Sequence, residues 1–273
     1  MKKNIDKRNI LKKIIYISVV ILLIILLIFI FKRVYDKLLQ KKCFENSIIS
    51  FAEKNEKEIF SIDKIIFFSS ADSKNKTGTA SNFTIENLYT YTDIAVFINN
   101  NSEVSTLENT LKSIKISNVN ITKIPMVGTP GLYFKSINDF AKGEFLENNK
   151  IENELEYGVT SRDEDDLSKP LVYNNCANPI TMSYINQNIK TDYTMTDTAN
   201  AITYNGSLLK RCGVSLSLIE SSISFDIDIE NNNNQKFKTT VYLDIPFETD
   251  EKTIYDGNLI VTQRKKYYFY RYE

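Results

Sequence analysis

Phe225-Asp-Ile-Asp-Ile-Glu-Asn-Asn-Asn-Asn-Gln-Lys-Phe-Lys-Thr-Thr-Val-Tyr-Leu-Asp-Ile245 is two strands and a turn written in one line. Phe225, Ile227 and Ile229 alternate with Asp226, Asp228 and Glu230; Phe237, Thr239, Val241, Leu243 and Ile245 do the same on the return. Because successive side chains of a strand point to opposite faces, this spacing gives one apolar face and one wet face. The four asparagines Asn231 to Asn234 tolerate the left-handed conformations that a tight reversal needs. Lys236 and Lys238 are placed to meet Asp228 or Glu230 across the pair, a modest cross-strand support.

The same period appears on either side. Ile62–Phe68, Leu88–Ile98, Leu111–Val119, Gly131–Ile137, Glu154–Thr160, Pro179–Ile185, Asp192–Thr196, Ala201–Tyr204 and Gly213–Leu218 all read as strands, with polar breaks at Ser69–Asn82, Asn99–Ser105 and Pro125–Pro130. A short helix is expected near Glu147–Glu156, and Lys76-Thr-Gly-Thr-Ala80 reads as a turn. Strands without amphipathic helices between them point to antiparallel sheets. The expected fold is therefore mainly β, in one or two antiparallel sandwich domains. The charged stretch Arg162-Asp-Glu-Asp-Asp166 before Pro170 suggests a division into residues 59–160 and 161–273.

The amino-terminal part follows different rules. Eighteen uncharged residues, Ile14 to Phe31, lie between Lys12-Lys13 and Lys32-Arg33. As a helix such a run reaches about 27 Å, close to the hydrocarbon thickness of a bilayer. It is longer than the apolar core of a signal peptide, and no Ala-x-Ala-like site follows it, so residues 14–31 are expected to remain as a transmembrane helix whose partner is the lipid bilayer. Residues 1–13 form a short basic tail. Residues 32–58 lack Pro and Gly and place Leu38, Phe44, Ile48, Phe51 and Ala52 at helical spacing, so the helix is expected to continue as a juxtamembrane stalk, with Ile48 and Phe51 as a possible contact surface.

A formal net charge of zero hides an uneven distribution. Residues 1–58 carry 13 Lys and Arg against 6 Asp and Glu, whereas the remainder carries 21 against 28. A basic collar around the anchor with an acidic domain beyond it fits a cytoplasmic amino terminus and an extracytoplasmic carboxyl-terminal domain, because long domains cross regardless of their own charge. The acidic balance speaks against a nucleic-acid partner and against tight binding of anionic polymers.

The chain has no histidine. Ser-His-Asp and Cys-His catalysis, His-ligated zinc and imidazole pH switches are all excluded on that ground. Lys76-Thr-Gly78 and Ser207-Leu-Leu-Lys210 match two elements of Ser/Lys acyl-transfer enzymes, but in reversed order and without the rest of that site, so no catalytic residue is assigned. Asp163 to Asp166 lack the spacing of a calcium loop, and neither a metal nor a cofactor is expected. Cys176 and Cys212 are a possible disulfide in an oxidising compartment, where closing a loop of about 36 residues contributes about 4 kcal/mol in the chain-entropy model. The end of the chain, Lys265-Lys-Tyr-Tyr-Phe-Tyr-Arg-Tyr272, puts aromatics on both faces of a strand and makes Tyr268, Tyr270 and Tyr272 a possible contact surface for a protein or cell-surface partner.

These features describe a single-pass, membrane-anchored binding or scaffolding module. Two alternatives are a cell-wall or glycan hydrolase working with paired carboxylates, and an accessory subunit of a secretion, conjugation or pilus-like assembly that makes contact through the stalk.

Overall fold

Paired strands make up most of the described chain after residue 59. The computed structural model describes residues 2–54, 59–79, 82–101, 104–196 and 202–273; within the first of these, side chains are described at 10 and 12–44. The chain divides into two compact units, Met1–Glu56 and Lys57–Glu273.

The first unit is a single helix, α1 (Lys2–Lys54), which includes the basic tail as well as the apolar run. Its stretch Lys12–Phe44 is long and apolar enough to cross a membrane, and its apolar side chains are exposed. The expected continuation of the helix past Phe31 is present as far as Lys54. Leu38 and Phe44 of the stalk stripe are exposed. The side chains of Ile48, Phe51 and Ala52 lie outside the described residues.

The second unit is a two-sheet sandwich. Its strands are β1 (Phe60–Thr79), β2 (Asn82–Asn100), β3 (Leu111–Lys123), β4 (Thr129–Phe134), β5 (Glu154–Thr160), β6 (Leu171–Tyr173) and β7 (Ile180–Met195). Two short helices follow, α2 (Ser207–Arg211) and α3 (Leu216–Ile219), and then β8 (Ser222–Asn231), β9 (Lys236–Asp244), β10 (Leu259–Gln263), β11 (Tyr267–Tyr268) and β12 (Tyr270–Arg271). Sheet A runs β10-β1-β2-β7-β4, with β11 also on β1; sheet B runs β12-β9-β8-β3-β5-β6. All pairs are antiparallel except β5 with β6.

The quoted hairpin forms the middle of sheet B. Phe225, Ile227, Ile229, Val241 and Leu243 are buried against Ile65, Phe67, Ile94, Val96, Met182 and Tyr184 of sheet A in one continuous core. Asn231 turns the chain by accepting the backbone N–H groups of Asn233 and Gln235 on its Oδ1, and Asn234 adopts a positive φ of 57°. Of the two lysines, Lys238 meets Asp228 across the pair as the spacing suggests, and Lys236 does not. Lys238 sits 2.9 Å from Asp226 and 3.6 Å from Asp228, but Lys236 pairs with Glu273 and Glu230 with Lys112.

Bulges preserve the inward apolar face where the sequence changes parity. Phe60 and Ile62 face the core, then a register shift between Ile62 and Lys64 brings odd-numbered Ile65, Phe67 and Ala71 inward. β11 and β10 together cover the outer edge of β1, and their break at Arg264–Lys266 lies opposite that shift. Between β11 and β12 the chain crosses from sheet A to sheet B, burying Phe269 beside Phe60, whose ring also meets Phe237 edge-on at 5.5 Å.

Several expectations need correction. Ser69–Thr79 is strand, not a polar break, because it pairs with β2, which is itself paired with β7 on its other side. Ile202–Tyr204 forms no strand, with Ala201 outside the described residues, and Gly213–Leu218 leads into α3. Near Glu147 there is only a 3-10 turn, Glu147–Asn149, since Glu154 already begins β5. The linker expected at Thr160–Pro170 is a surface turn joining neighbouring strands β5 and β6, and both sheets contain strands from before and after residue 160.

Cys176 and Cys212 are free thiols. Cys176 follows Asn175, whose carbonyl accepts from Asn100 at one end of β2; Cys212 lines a hollow with Lys190 and Thr191, beside the Asn87↔Lys190 register pair. These levels are separated by about 40 Å of strand, far beyond the roughly 7 Å that a disulfide spans, so the expected bridge is withdrawn. The alternation predicts a sharp contrast within one hairpin. Phe225→Ala should destabilise the sandwich by about 3–5 kcal/mol, while Tyr242→Ala, on the exposed face, should stay within about 0.5 kcal/mol, both read by urea unfolding.

Candidate functional site

Two places in the sandwich concentrate polar chemistry, one closed and one open. The closed one lies on the outer face of sheet A. Asp93 of β2, Ser183 of β7 and Tyr133 of β4 occupy one register row, Asp93↔Ser183 and Ser183↔Tyr133, and the backbone after β4 brings Lys135 beside them. The segment from Ser136 to Lys150 folds back over this row as a strap, starting with a 3-10 turn that Ser136 caps. Phe140 and Phe145 of the strap pack on Phe68, Tyr89, Tyr91, Tyr133 and Ile185, forming a second small core.

Within it, Asp93 is fully buried. Ser183 donates to its Oδ1 at 2.6 Å, the Ala141 N–H donates to its Oδ2 at 2.8 Å, and the Lys135 ammonium stands 4.0 Å away. Lys135 in turn donates to the strap carbonyls of Lys142 and Glu144. Tyr89 Oη donates to the Gly143 carbonyl, and Lys74 reaches Glu147 and Gln187 while lying over the Phe145 ring. Burial pushes the Asp93 carboxyl up to about 6 against the pull of Lys135, Ser183 and Ala141. Burial also lowers the Lys135 ammonium, with Asp93 opposing. The pair ties the strap to the sheet, and Phe140 and Phe145 pack on the aromatic rings beside it.

The open place is the outer face of sheet B and the end of the chain beside it. Outward-pointing Lys115, Glu154, Glu156, Asp228 and Lys236 line a hollow of about 580 Å³ in which lysine and carboxylate alternate. Against the effect of burial, hydrogen bonds to Thr240, Asn118 and Lys238 bring down the carboxyl of Asp226, on the same strand as Asp228, and Lys112 brings down that of Glu230 in the lining. Next to it, sharing Lys238 and Tyr272, is a second hollow of about 570 Å³ lined by lysine, threonine and tyrosine, with no carboxylate. Tyr267 and Phe269 point inward and are buried, which sends Tyr268, Tyr270 and Tyr272 outward. Tyr268 stands on sheet A and Tyr270 on sheet B, so the tyrosines straddle the seam that the final strands close.

The residues singled out by sequence are thus widely separated. Tyr268, Tyr270 and Tyr272 come together on one surface with Lys265 and Lys266. Ser207 does open α2 with Lys210 one turn on, but its hydroxyl is donated to Asn205 and Lys210 is exposed, while Lys76 lies over the ring of Tyr204. Asp165 and Asp166 accept from Thr160 and from the Ser168 N–H in the β5–β6 turn. Among the described residues no group of three acids or thiols is arranged to hold a metal. Sequence reasoning missed Asp93 and Lys135. The available signal was a charge inside an otherwise apolar run, Asp93-Ile-Ala-Val96, and a lysine directly after Leu-Tyr-Phe134.

Comparison of the chain with protein-family models, with curated proteins and with solved structures finds no match.

The buried pair predicts a pH-dependent mutant phenotype. In the wild type Asp93 has a folded pKa raised from 3.8 to about 6, so its contribution to stability is fullest below the unfolded value and is lost as pH rises through the folded one. Lys135→Met leaves that carboxylate unpaired and should cost about 3–5 kcal/mol when Asp93 is ionised. The loss should shrink below about pH 6, where Asp93 takes up its proton, a contrast that melting curves on either side of that pH will reveal.

Proposed function

We propose that this chain is a single-pass membrane protein with its basic amino terminus in the cytoplasm and its sandwich outside, where the sandwich binds or scaffolds through the tyrosine-bearing seam. An apolar helix long enough to cross a membrane supports the anchor. The concentration of Lys and Arg in residues 1–58 supports the orientation. The observation that carries the binding reading is the alternation at the end of the chain: Tyr267 and Phe269 complete the core, and three further tyrosines are left on the surface, which folding alone does not require.

A binding role is favoured over carboxylate-based hydrolysis by the state of the acids. A general acid needs a raised pKa and access to substrate. The open face of sheet B offers carboxylates paired with lysines, and Asp93, which has the raised value, sits under the strap.

Protease added to intact cells, or to protoplasts where a wall intervenes, should digest the sandwich and leave a membrane-embedded amino-terminal fragment. Protection until lysis would overturn the orientation. A photo-crosslinking residue at Tyr270 should capture a cell-surface component, and Tyr268→Ala with Tyr272→Ala should abolish that capture without shifting the melting temperature. Unchanged capture would remove the seam from the binding role.

A further inference from the structure

The chemistry of the seam narrows its ligand. We infer that the hollow formed by Lys265, Lys266, Tyr268, Tyr270 and Tyr272 binds an acidic polysaccharide, a chain of sugar rings carrying spaced carboxylates; this rests on the binding role assigned to the same surface.

Residues 59–273 carry seven more acids than bases, yet this 570 Å³ hollow has no carboxylate in its lining. Lys238, the third lysine of the hollow, is committed to Asp226 and Asp228. Lys265 and Lys266 form no ion pair among the described residues; Lys265 lies 5.2 Å from the Tyr267 ring centre. Their exposure has a structural cause. β10 and β11 both run along β1, but Ile65 pairs with Gln263 and Ile62 with Tyr267, so the second strand carries an extra residue where the first is bulged. The intervening Arg264, Lys265 and Lys266 are expelled from the ladder and exposed beside the hollow.

Cations alone would suit any anion, and the tyrosines discriminate. Sugar rings present C–H faces that stack on an aromatic plane, and tyrosine adds a hydroxyl for the ring's polar edge. The three rings border one hollow, which offers several aromatic platforms to a sugar chain. A nucleic acid, with a charge every few ångströms, extends its field well past a two-lysine patch into the repulsion of the surrounding acidic surface, and an anionic bilayer does the same. A polymer with one carboxylate per ring matches few cations among several aromatics. The acidic character of the whole domain, which argues against polyanions in general, therefore sets the charge density of the one that fits.

The test uses the full-length chain in nanodiscs of zwitterionic lipid, titrated with polygalacturonate and, separately, with neutral amylose. Polygalacturonate should bind and weaken as salt is raised, and amylose should not bind. The K265E/K266E and Y270A/Y272A variants should each lose affinity by about tenfold or more, with the melting temperature unchanged because all four side chains point outward. Polygalacturonate binding that survives K265E/K266E, amylose bound as tightly, or displacement of polygalacturonate by oligothymidylate or by nanodiscs of anionic lipid would each overturn the assignment. If polygalacturonate fails while crosslinking from Tyr270 still depends on Tyr268 and Tyr272, the ligand class falls and the binding seam stands. If both fail, the seam falls too.

Discussion

Burial of one side-chain face per strand, in both sheets, against a single shared core is the constraint on which the rest of this molecule depends. Phe225, Ile227 and Ile229 have no apolar environment unless sheet A lies over them, and Ile65, Phe67 and Ile94 have none unless sheet B does. The sandwich is therefore cooperative across sequence: β1 and β2 from one half of the domain and β7, β10 and β11 from the other are needed to build the covering sheet. The bulge after Ile62 and the break at Arg264–Lys266 are consequences of that demand. Each absorbs a residue that would otherwise turn an apolar side chain to solvent.

Sheet A meets a second demand, because its outer face is also apolar in part. Tyr89, Tyr91 and Tyr133 would be exposed without the strap, and a strap of irregular backbone carries its own polar groups that must be satisfied. Lys135 and Asp93 meet that need from inside, the lysine taking two strap carbonyls and the aspartate one strap N–H. A buried ion pair adds little net stability over an apolar pair, but removing one partner leaves an uncompensated charge. The pair thus acts as a fastener for one segment and not as a source of stability for the whole.

Sheet B keeps its outer face wet, and in the proposed reading binding lies at its seam with sheet A. The closing segment does two jobs with one alternation: Phe269 seals the edge of the core between the sheets, and its neighbours on either side remain outside. Inward Tyr267 and Phe269 carry the packing, and Tyr270 and Tyr272 are exposed, so the proposed recognition is separated from stability by side-chain direction.

The amino-acid sequence by itself determined the elements whose pattern is local. Ile14 to Phe31 announces a membrane-length helix by composition, and the hairpin Phe225 to Ile245 announces its strands, its turn and its core face, because helix length and strand alternation need no knowledge of neighbours. The outward placement of Tyr268, Tyr270 and Tyr272 follows from the same period. Only the tertiary structure decided the rest. Ser69 to Thr79 looks like a polar loop but is strand, since pairing with β2 satisfies its backbone whatever its side chains. Gly213 to Leu218 looks extended but leads into a helical turn. Cys176 and Cys212 look pairable by count but sit at opposite ends of a sheet, and Lys236 and Glu230 find partners remote in sequence. Asp93 and Lys135 meet across an intervening strand, a proximity set by strand order, which no local pattern encodes.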